Sequence, residues 1–411
     1  MAWSEICVLA RLNLLLAFDP QSSLDTQLFL PDLFHIITLL LGAGPVPMRQ
    51  TVYGLLVNIL QSLVSTSHIG DMDRSAMERL FGQVQTREMV TAFGLVHSPD
   101  SLEFSGGFQR TEADVGSLAD VEQVAKFLGE VLIGGAVAMG KSLMTGTPLT
   151  ADCANAWRAR WMSLVAATCF QHNPATQPQA FTVLGHLASD EVDDDLVYQI
   201  LVAMSSTLSH FTESDQILVI SMLRCLSRIV PGLLPGSRYA ACLFCLAVGF
   251  LQLSYIPLFA ASLELMLVAL RAIDASAPQE YSLVELLLNA RQRVGDPALK
   301  LDQVCGVSFD TDPCFSLVAV VFKGVRHPST GKLAMEVLME LLQLSSARAF
   351  IDDVTPGIAP SGVPFFVALL PAIAGAPADL KALFAAGGMD VADGSVQDLS
   401  TLPVFEVLSI P

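Results

Sequence analysis

His172-Asn173-Pro174-Ala175-Thr176, followed by Ala180, Val183, Leu184 and Leu187, returns 154 residues later as Arg326-His327-Pro328-Ser329-Thr330, followed by Ala334, Val337, Leu338 and Leu341. The prolines, alanines and leucines of the two copies keep one register. Each copy reads as a turn closed by proline, a residue suited to the first position of a helix because its missing N–H has no helical partner there. The alanine one turn in lets a neighbouring helix come close, and the Val and Leu positions form one buried stripe. Stacked helical hairpins of the HEAT or armadillo kind have this grammar, and their period of roughly 40–47 residues places about four repeats in the offset. The predicted fold is therefore all-α, an α-solenoid of helical repeats.

Composition agrees. The chain has 411 residues, 52% of them hydrophobic and 15% charged, with a mean hydropathy of +0.55. Helix pairs stacked on both sides bury most of their surface and need few charges, as such a balance requires. A formal net charge of −18 excludes a nucleic-acid surface, which needs clustered Lys and Arg. The eight cysteines, 7, 153, 169, 225, 242, 245, 305 and 314, lie scattered in apolar stretches and read as free thiols of a reducing compartment. No basic start or long apolar run marks a secretory signal.

Helix punctuation recurs along the chain. The sequence predicts helices over Ile6–Ala17, Asp32–Leu41 and from Pro47 to about Ser65, then a polar helix near Asp73–Phe93. Ser117-Leu-Ala-Asp120 and Thr212-Glu-Ser-Asp215 read as capping boxes, for helices reaching about Ile133 and Ile229. In the latter, Ser221, Arg224 and Arg228 share a polar side, which predicts a surface helix. The organisation expected is helical repeats over 1–93, a Gly- and Ser-rich loop over 94–116, repeats again over 117–350, and a Pro/Gly/Ala-rich tail with short helices over 351–411. Neither end carries the polar outer face of a capping repeat, so the chain reads as a piece of something longer.

Three stretches invite other readings. Gly135-Ala-Val-Ala-Met-Gly140-Lys141-Ser142 matches the phosphate-binding loop of nucleotide hydrolases, with Lys141 for the β/γ-phosphates and Ser142 for magnesium. That chemistry needs a strand before Gly135, whereas Val121–Ile133 has helical periodicity. Tyr239–Leu263 carries no charge over a length that spans a bilayer, yet Gln252, Ser254 and Pro257 divide it into two helices, Ala240–Leu253 and Leu258–Ala272. Cys242 and Cys245 form a CxxC without the further ligands of a zinc site. Histidines 35, 68, 97, 172, 186, 210 and 327 show no ligand spacing; His172 and His327, at the repeated junctions, suit hydrogen bonds that hold the turns. The acidic run Asp190-Glu-Val-Asp-Asp-Asp195 reads as a solvated loop that caps the next helix through its dipole. Lys323, Arg326 and His327 make a small basic spot. No residue is assigned a catalytic, cofactor-binding or metal-binding role.

Leu9-Ala-Arg-Leu-Asn-Leu-Leu-Leu-Ala-Phe-Asp-Pro-Gln-Ser-Ser-Leu-Asp-Thr-Gln-Leu-Phe-Leu-Pro31, with Leu33-Phe34-His35-Ile36 after it, resembles the neurofibromin family. So do Phe170-Gln-His-Asn-Pro174 with Gln177-Pro178, and Lys323-Gly324 with Arg326-His327-Pro328-Ser329. The matches fall in family order, from near residue 9 to about 344; the loop and the tail depart from the pattern. The resemblance implies a segment of a large cytoplasmic activator of Ras GTPases, from the helical repeats that follow its lipid-binding modules. It implies as partners the remainder of that activator, a second copy in a homodimer, and Ras indirectly, with membrane contact only through modules outside this segment. No position matches the family's catalytic arginine, so the expected role is a non-catalytic scaffold that supports dimerisation and negative regulation of Ras signalling.

Overall fold

The computed structural model describes residues 3–18, 28–65, 71–96, 108–142, 149–188, 192–234, 237–253, 255–276, 291, 300, 302–303, 313–325 and 327–349. The tail beyond Asp352 lies outside them. Fourteen α-helices run in order among the described residues: α1 (Trp3–Phe18), α2 (Leu30–Leu40), α3 (Val46–Ser65), α4 (Asp71–Val84), α5 (Arg87–Ala92), α6 (Phe108–Ser142), α7 (Leu149–Cys169), α8 (Gln177–Leu187), α9 (Asp194–Ser209), α10 (Gln216–Ile229), α11 (Tyr239–Leu251), α12 (Ile256–Ser276), α13 (Pro313–Phe322) and α14 (Gly331–Ala349). No strand appears among the described residues, only an isolated bridge between Val192 and Leu233. The all-α helical-repeat architecture read from the sequence is the one observed.

The chain forms two compact units, Met1–Asp190 with Leu201–Ile229, and Glu191–Ile200 with Val230–Pro411. In the first, α1 packs on α3, α2 on α3 and α7, and α7, α8 and α10 follow one another with α6 alongside. In the second, α12 packs on α11 and α14, and α13 on α11 and α14.

The repeat is more regular than its sequence. Helices α8, α10, α12 and α14 begin at Gln177, Gln216, Ile256 and Gly331, spacings of about 39, 40 and 75 residues, one, one and two steps of a period of roughly 40. Counted from each start, the same four positions point inward. They are Ala180, Val183, Leu184 and Leu187 in α8, and Val219, Met222, Leu223 and Leu226 in α10. The counterparts are Phe259, Ser262, Leu263 and Met266 in α12, and Ala334, Val337, Leu338 and Leu341 in α14, all sixteen buried. The one polar member, Ser262, is satisfied by donating to the Leu258 carbonyl at 2.6 Å.

Several boundaries differ from expectation. The polar helix at 73–93 is two helices, because Thr86 ends one and caps the other, its Oγ1 accepting from the Met89 N–H at 3.4 Å. Ser117–Asp120 caps nothing: α6 begins at Phe108 and passes through both residues. A single glycine in a helix costs only about 1 kcal/mol, so Gly116 does not stop it. Thr212–Asp215 is the capping box expected, with Asp215 Oδ2 accepting from the Thr212 N–H at 2.8 Å. Helix α10 is no surface helix. Ser221 is fully buried and donates to the Leu218 carbonyl at 2.7 Å, so only Arg224 and Arg228 remain of the polar side. A hydroxyl that can bond its own backbone costs little to bury, which periodicity alone does not register.

Candidate functional site

The two junctions that reveal the repeat are also built alike, bond for bond. In the first, the Thr176 and Gln177 N–H groups donate to the Asn173 carbonyl at 3.1 and 3.0 Å, and Ala180 N–H to the Thr176 carbonyl at 3.0 Å. In the second, Thr330 and Gly331 donate to the His327 carbonyl at 3.1 and 2.8 Å, and Ala334 to the Thr330 carbonyl at 2.8 Å. Asn173 Oδ1 accepts from the Ala175 N–H at 3.2 Å, and His327 Nδ1 from the Ser329 N–H at 3.3 Å and close to Ser329 Oγ at 2.7 Å. An Asn and a His thus perform one task, closing the turn onto the N–H two residues ahead. The hydrogen bond expected of His327 is present; His172 instead holds a left-handed backbone, φ 54°.

The prolines sit elsewhere than expected. Pro174 and Pro328 follow the residue whose carbonyl closes the turn, three residues before each helix starts, where their fixed φ suits the second position of a turn. The proline at a helix start is Pro178. Side chains then tie each new helix to the end of the one before: Gln177 Nε2 donates to the Cys169 carbonyl at 2.8 Å, and Thr330 Oγ1 to the Gly324 carbonyl at 2.7 Å. Of the basic spot, Lys323 is exposed and Arg326 lies outside the described residues.

The phosphate-loop motif does not form a loop. Gly135–Ser142 is the C-terminal end of α6, with helix and no strand before it. Gly135 is buried between α3 and α7: a Cβ there would meet Leu63 at 3.6 Å and Trp157 at 3.7 Å. Its glycine serves helix packing, and a continuous helix leaves no run of free N–H groups for phosphate. The nucleotide-hydrolase alternative fails for that reason.

The uncharged stretch Tyr239–Leu263 falls in the hairpin α11–α12, whose first helix ends at Leu251 and whose second begins at Ile256. Ile256–Ala275 is long and apolar enough to cross a membrane, but most of it is buried against neighbouring helices, as in a soluble core. The membrane alternative loses its single span to a packed hairpin. Cys242 and Cys245 lie on α11, and burial pushes the Cys245 thiol up to about 11; Cys225, on α10, is pushed up to about 12 by burial too. Such thiols stay protonated at neutral pH and are poor nucleophiles and ligands. No group of three or more metal-ligating side chains occurs among the described residues. In the acidic run, Asp194 and Asp195 form the first turn of α9, and Asp194 Oδ1 accepts from Ser237 Oγ at 2.6 Å. Asp190 and Glu191 lie outside the described residues, as do His68 and His97.

Two polar arrangements escaped sequence reading. At the α2–α7 interface the Thr168 hydroxyl donates to the Leu164 carbonyl at 3.0 Å, so its oxygen accepts from His35 Nε2, also at 3.0 Å. His35 Nδ1 is then bare, buried and without a donor, and burial lowers the His35 pKa, with Asp32 opposing. Beside it, Phe34 meets Trp161 edge-on at 5.5 Å. In the second unit, buried Asp302 accepts from Gln252 Nε2 at 3.1 Å and pairs with Arg291. These partners are distant in sequence and share no spacing, so only folding brings them together.

This is a helical-repeat protein whose recurring feature is a helix-pair junction. The inhibitory regulator protein IRA2 of Saccharomyces cerevisiae is 21% identical to it over 350 residues, 84% of this chain and 11% of that protein. The inhibitory regulator protein IRA1 of the same yeast is 22% identical over 351 residues, 83% of this chain and 11% of that one. The chain is homologous to these two regulators over most of its length, which supports its resemblance to the neurofibromin family. It spans about a ninth of the length of either relative. No family profile matches it.

Proposed function

We propose that this chain is a non-catalytic HEAT/armadillo-type scaffold segment of a neurofibromin-like activator of Ras GTPases. It acts in the cytoplasm, supporting dimerisation and the negative regulation of Ras signalling. The observation that carries the reading is alignment over more than four-fifths of the chain to two large inhibitory regulators, along a stretch built of helical repeats. Stacked repeats hold other modules at fixed spacing because each repeat contacts only its neighbours. The sequence offers no residue for the arginine that such activators place against the transferred phosphate, a contribution of roughly 10³–10⁵ in rate.

The test is single-turnover GTP hydrolysis by Ras with purified residues 1–411, beside size-exclusion chromatography with light scattering. Hydrolysis at the intrinsic rate and a dimer are expected. Acceleration above that rate overturns the non-catalytic assignment, and a monomer at micromolar concentration removes the role in dimerisation.

A further inference from the structure

The two repeated junctions close through the same backbone hydrogen bonds, yet the second carries chemistry that the first lacks. Ser329 stands where the first junction has Ala175, and both positions are exposed, so the turn itself does not require the hydroxyl. Lys323, Arg326 and Lys332 stand where the first junction has Cys169, His172 and Pro178. From Pro313 to Met335 the sequence has no Asp or Glu, although acidic residues outnumber Lys and Arg by 40 to 22 in the whole chain. Lys323 and Lys332 are exposed, and neither enters an ion pair among the described residues. Glu336, one turn beyond Lys332, pairs with Arg271 at 3.3 Å. The two hydroxyls of the turn differ in access. Thr330 is buried and its Oγ1 donates to the Gly324 carbonyl at 2.7 Å, whereas Ser329 is exposed and its Oγ bonds His327 Nδ1 at 2.7 Å.

We propose that Ser329 is a phosphorylation site for a serine/threonine kinase that reads an arginine three residues before its target. In sequence Arg326 holds that position, with Lys323 three residues earlier. The residues that follow, Thr330-Gly331-Lys332, include neither proline nor a carboxylate, which excludes proline-directed and acid-directed kinases. Charge patterns of this kind select among kinases because an upstream cation pairs with carboxylates of the kinase cleft. A kinase binds its target extended, so the turn opens locally, and the Ser329 N–H is held only by a 3.3 Å bond to His327 Nδ1. In the transfer Ser329 Oγ forms a bond to the γ-phosphorus of ATP and the bond from that phosphorus to the bridging oxygen breaks. ADP leaves, and the hydroxyl proton passes to the catalytic aspartate of the kinase. The phosphate adds about −1.5 to −2 charges just before α14, at the positive end of its dipole. In the first turn of α14 the Lys332 and Leu333 N–H groups have no acceptor among the described residues, whereas Pro178, at the position of Lys332, has no N–H to offer. Held by these groups and the Lys332 ammonium, the phosphate fastens the junction between α13 and α14.

The test is incubation of the folded full chain with ATP and, separately, an arginine-directed, a proline-directed and an acid-directed kinase, with sites assigned by mass spectrometry. The arginine-directed kinase places one phosphate on Ser329 and none on Thr330. Arg326→Ala lowers the rate roughly tenfold or more, the worth of one charge-assisted hydrogen bond, and Arg326→Lys restores part of it. Ser329→Ala loses the phosphate and melts like the parent, and thermal melts verify that the other variants are folded. A synthetic peptide of residues 320–334 serves as reference; modification of the peptide but not of Ser329 in the folded chain overturns the proposal. So does a rate in Arg326→Ala equal to that of the parent, or equal modification of Ser329 by all three kinases. Phosphorylation also slows amide hydrogen exchange in the first turn of α14 roughly threefold or more, and Lys332→Ala removes the slowing. Exchange unchanged by the phosphate overturns the fastening of the junction.

Discussion

Replacing Gly185 and Gly82 by alanine, one at a time, should move stability in opposite directions. Both lie within helices of the first unit, and an alanine in a helix is intrinsically better than glycine by roughly 0.5–1 kcal/mol. At Gly82 nothing lies within 4 Å of the added methyl, so that gain is realised. At Gly185 the methyl would sit 2.9 Å from the Cys225 Cα, 3.4 Å from its carbonyl oxygen and 3.5 Å from the Arg228 Cβ. The obstacle is mainly backbone, which cannot rotate away. To restore ordinary contact, α8 and α10 must part by about 1 Å, which loosens the packing of Val183, Leu184, Val219 and Leu223. Overpacking of this kind costs about 1–3 kcal/mol, and after the propensity gain a net loss of up to about 2.5 kcal/mol remains. Urea unfolding followed by circular dichroism at 222 nm measures both variants against the parent. If Gly185→Ala shifted the midpoint upward as Gly82→Ala does, the close approach of α8 and α10 would be refuted.

Other consequences are as direct. His35 and His186 have folded-state pKa values lowered from 6.5, chiefly by burial, so the unfolded chain takes up protons first as pH falls. Their stabilisation is complete above about pH 6.5 and is lost as pH drops through the folded values; replacing His35 by Gln should flatten the melting temperature between pH 7 and 5, and an unchanged slope would remove His35 from the account. Ala334→Leu should overpack α14 against its neighbours at a cost of about 1–3 kcal/mol, visible as a lower thermal midpoint, and parent-like melting would make the shared register an accident. Arg291→Met should strand the buried Asp302 carboxylate and cost roughly 3–5 kcal/mol, whereas Arg291→Met with Asp302→Leu should recover much of it; a double variant as unstable as the single one would exclude the ion pair as the cause.

The sequence by itself determined the class of fold and one pair of equivalent junctions about four repeats apart. Proline turns followed by Ala, Val and Leu at helical spacing leave few alternatives to stacked helices, because backbone restriction and hydrophobic periodicity are local properties of the chain. The helices around Pro31 and Pro47, the capping box at Thr212 and the hairpin inside Tyr239–Leu263 were legible for the same reason. Tertiary structure decided what local rules leave open. The repeat at Val219 has no proline before its helix, that at Phe259 has only Pro257 at its helix start, and both replace the small alanine by larger side chains, so their equivalence shows in burial. Gly135 reads as part of a phosphate loop until Leu63 and Trp157 are seen against it, and Ser221 reads as solvent-facing until the Leu218 carbonyl is seen to accept its hydroxyl. The His35–Thr168 contact and the Arg291–Asp302 pair join residues distant in sequence, where charge and burial depend on which parts of the chain become neighbours. Propensity acts within a few residues, whereas desolvation and Coulomb interaction act through space, and only the folded chain fixes which groups are near.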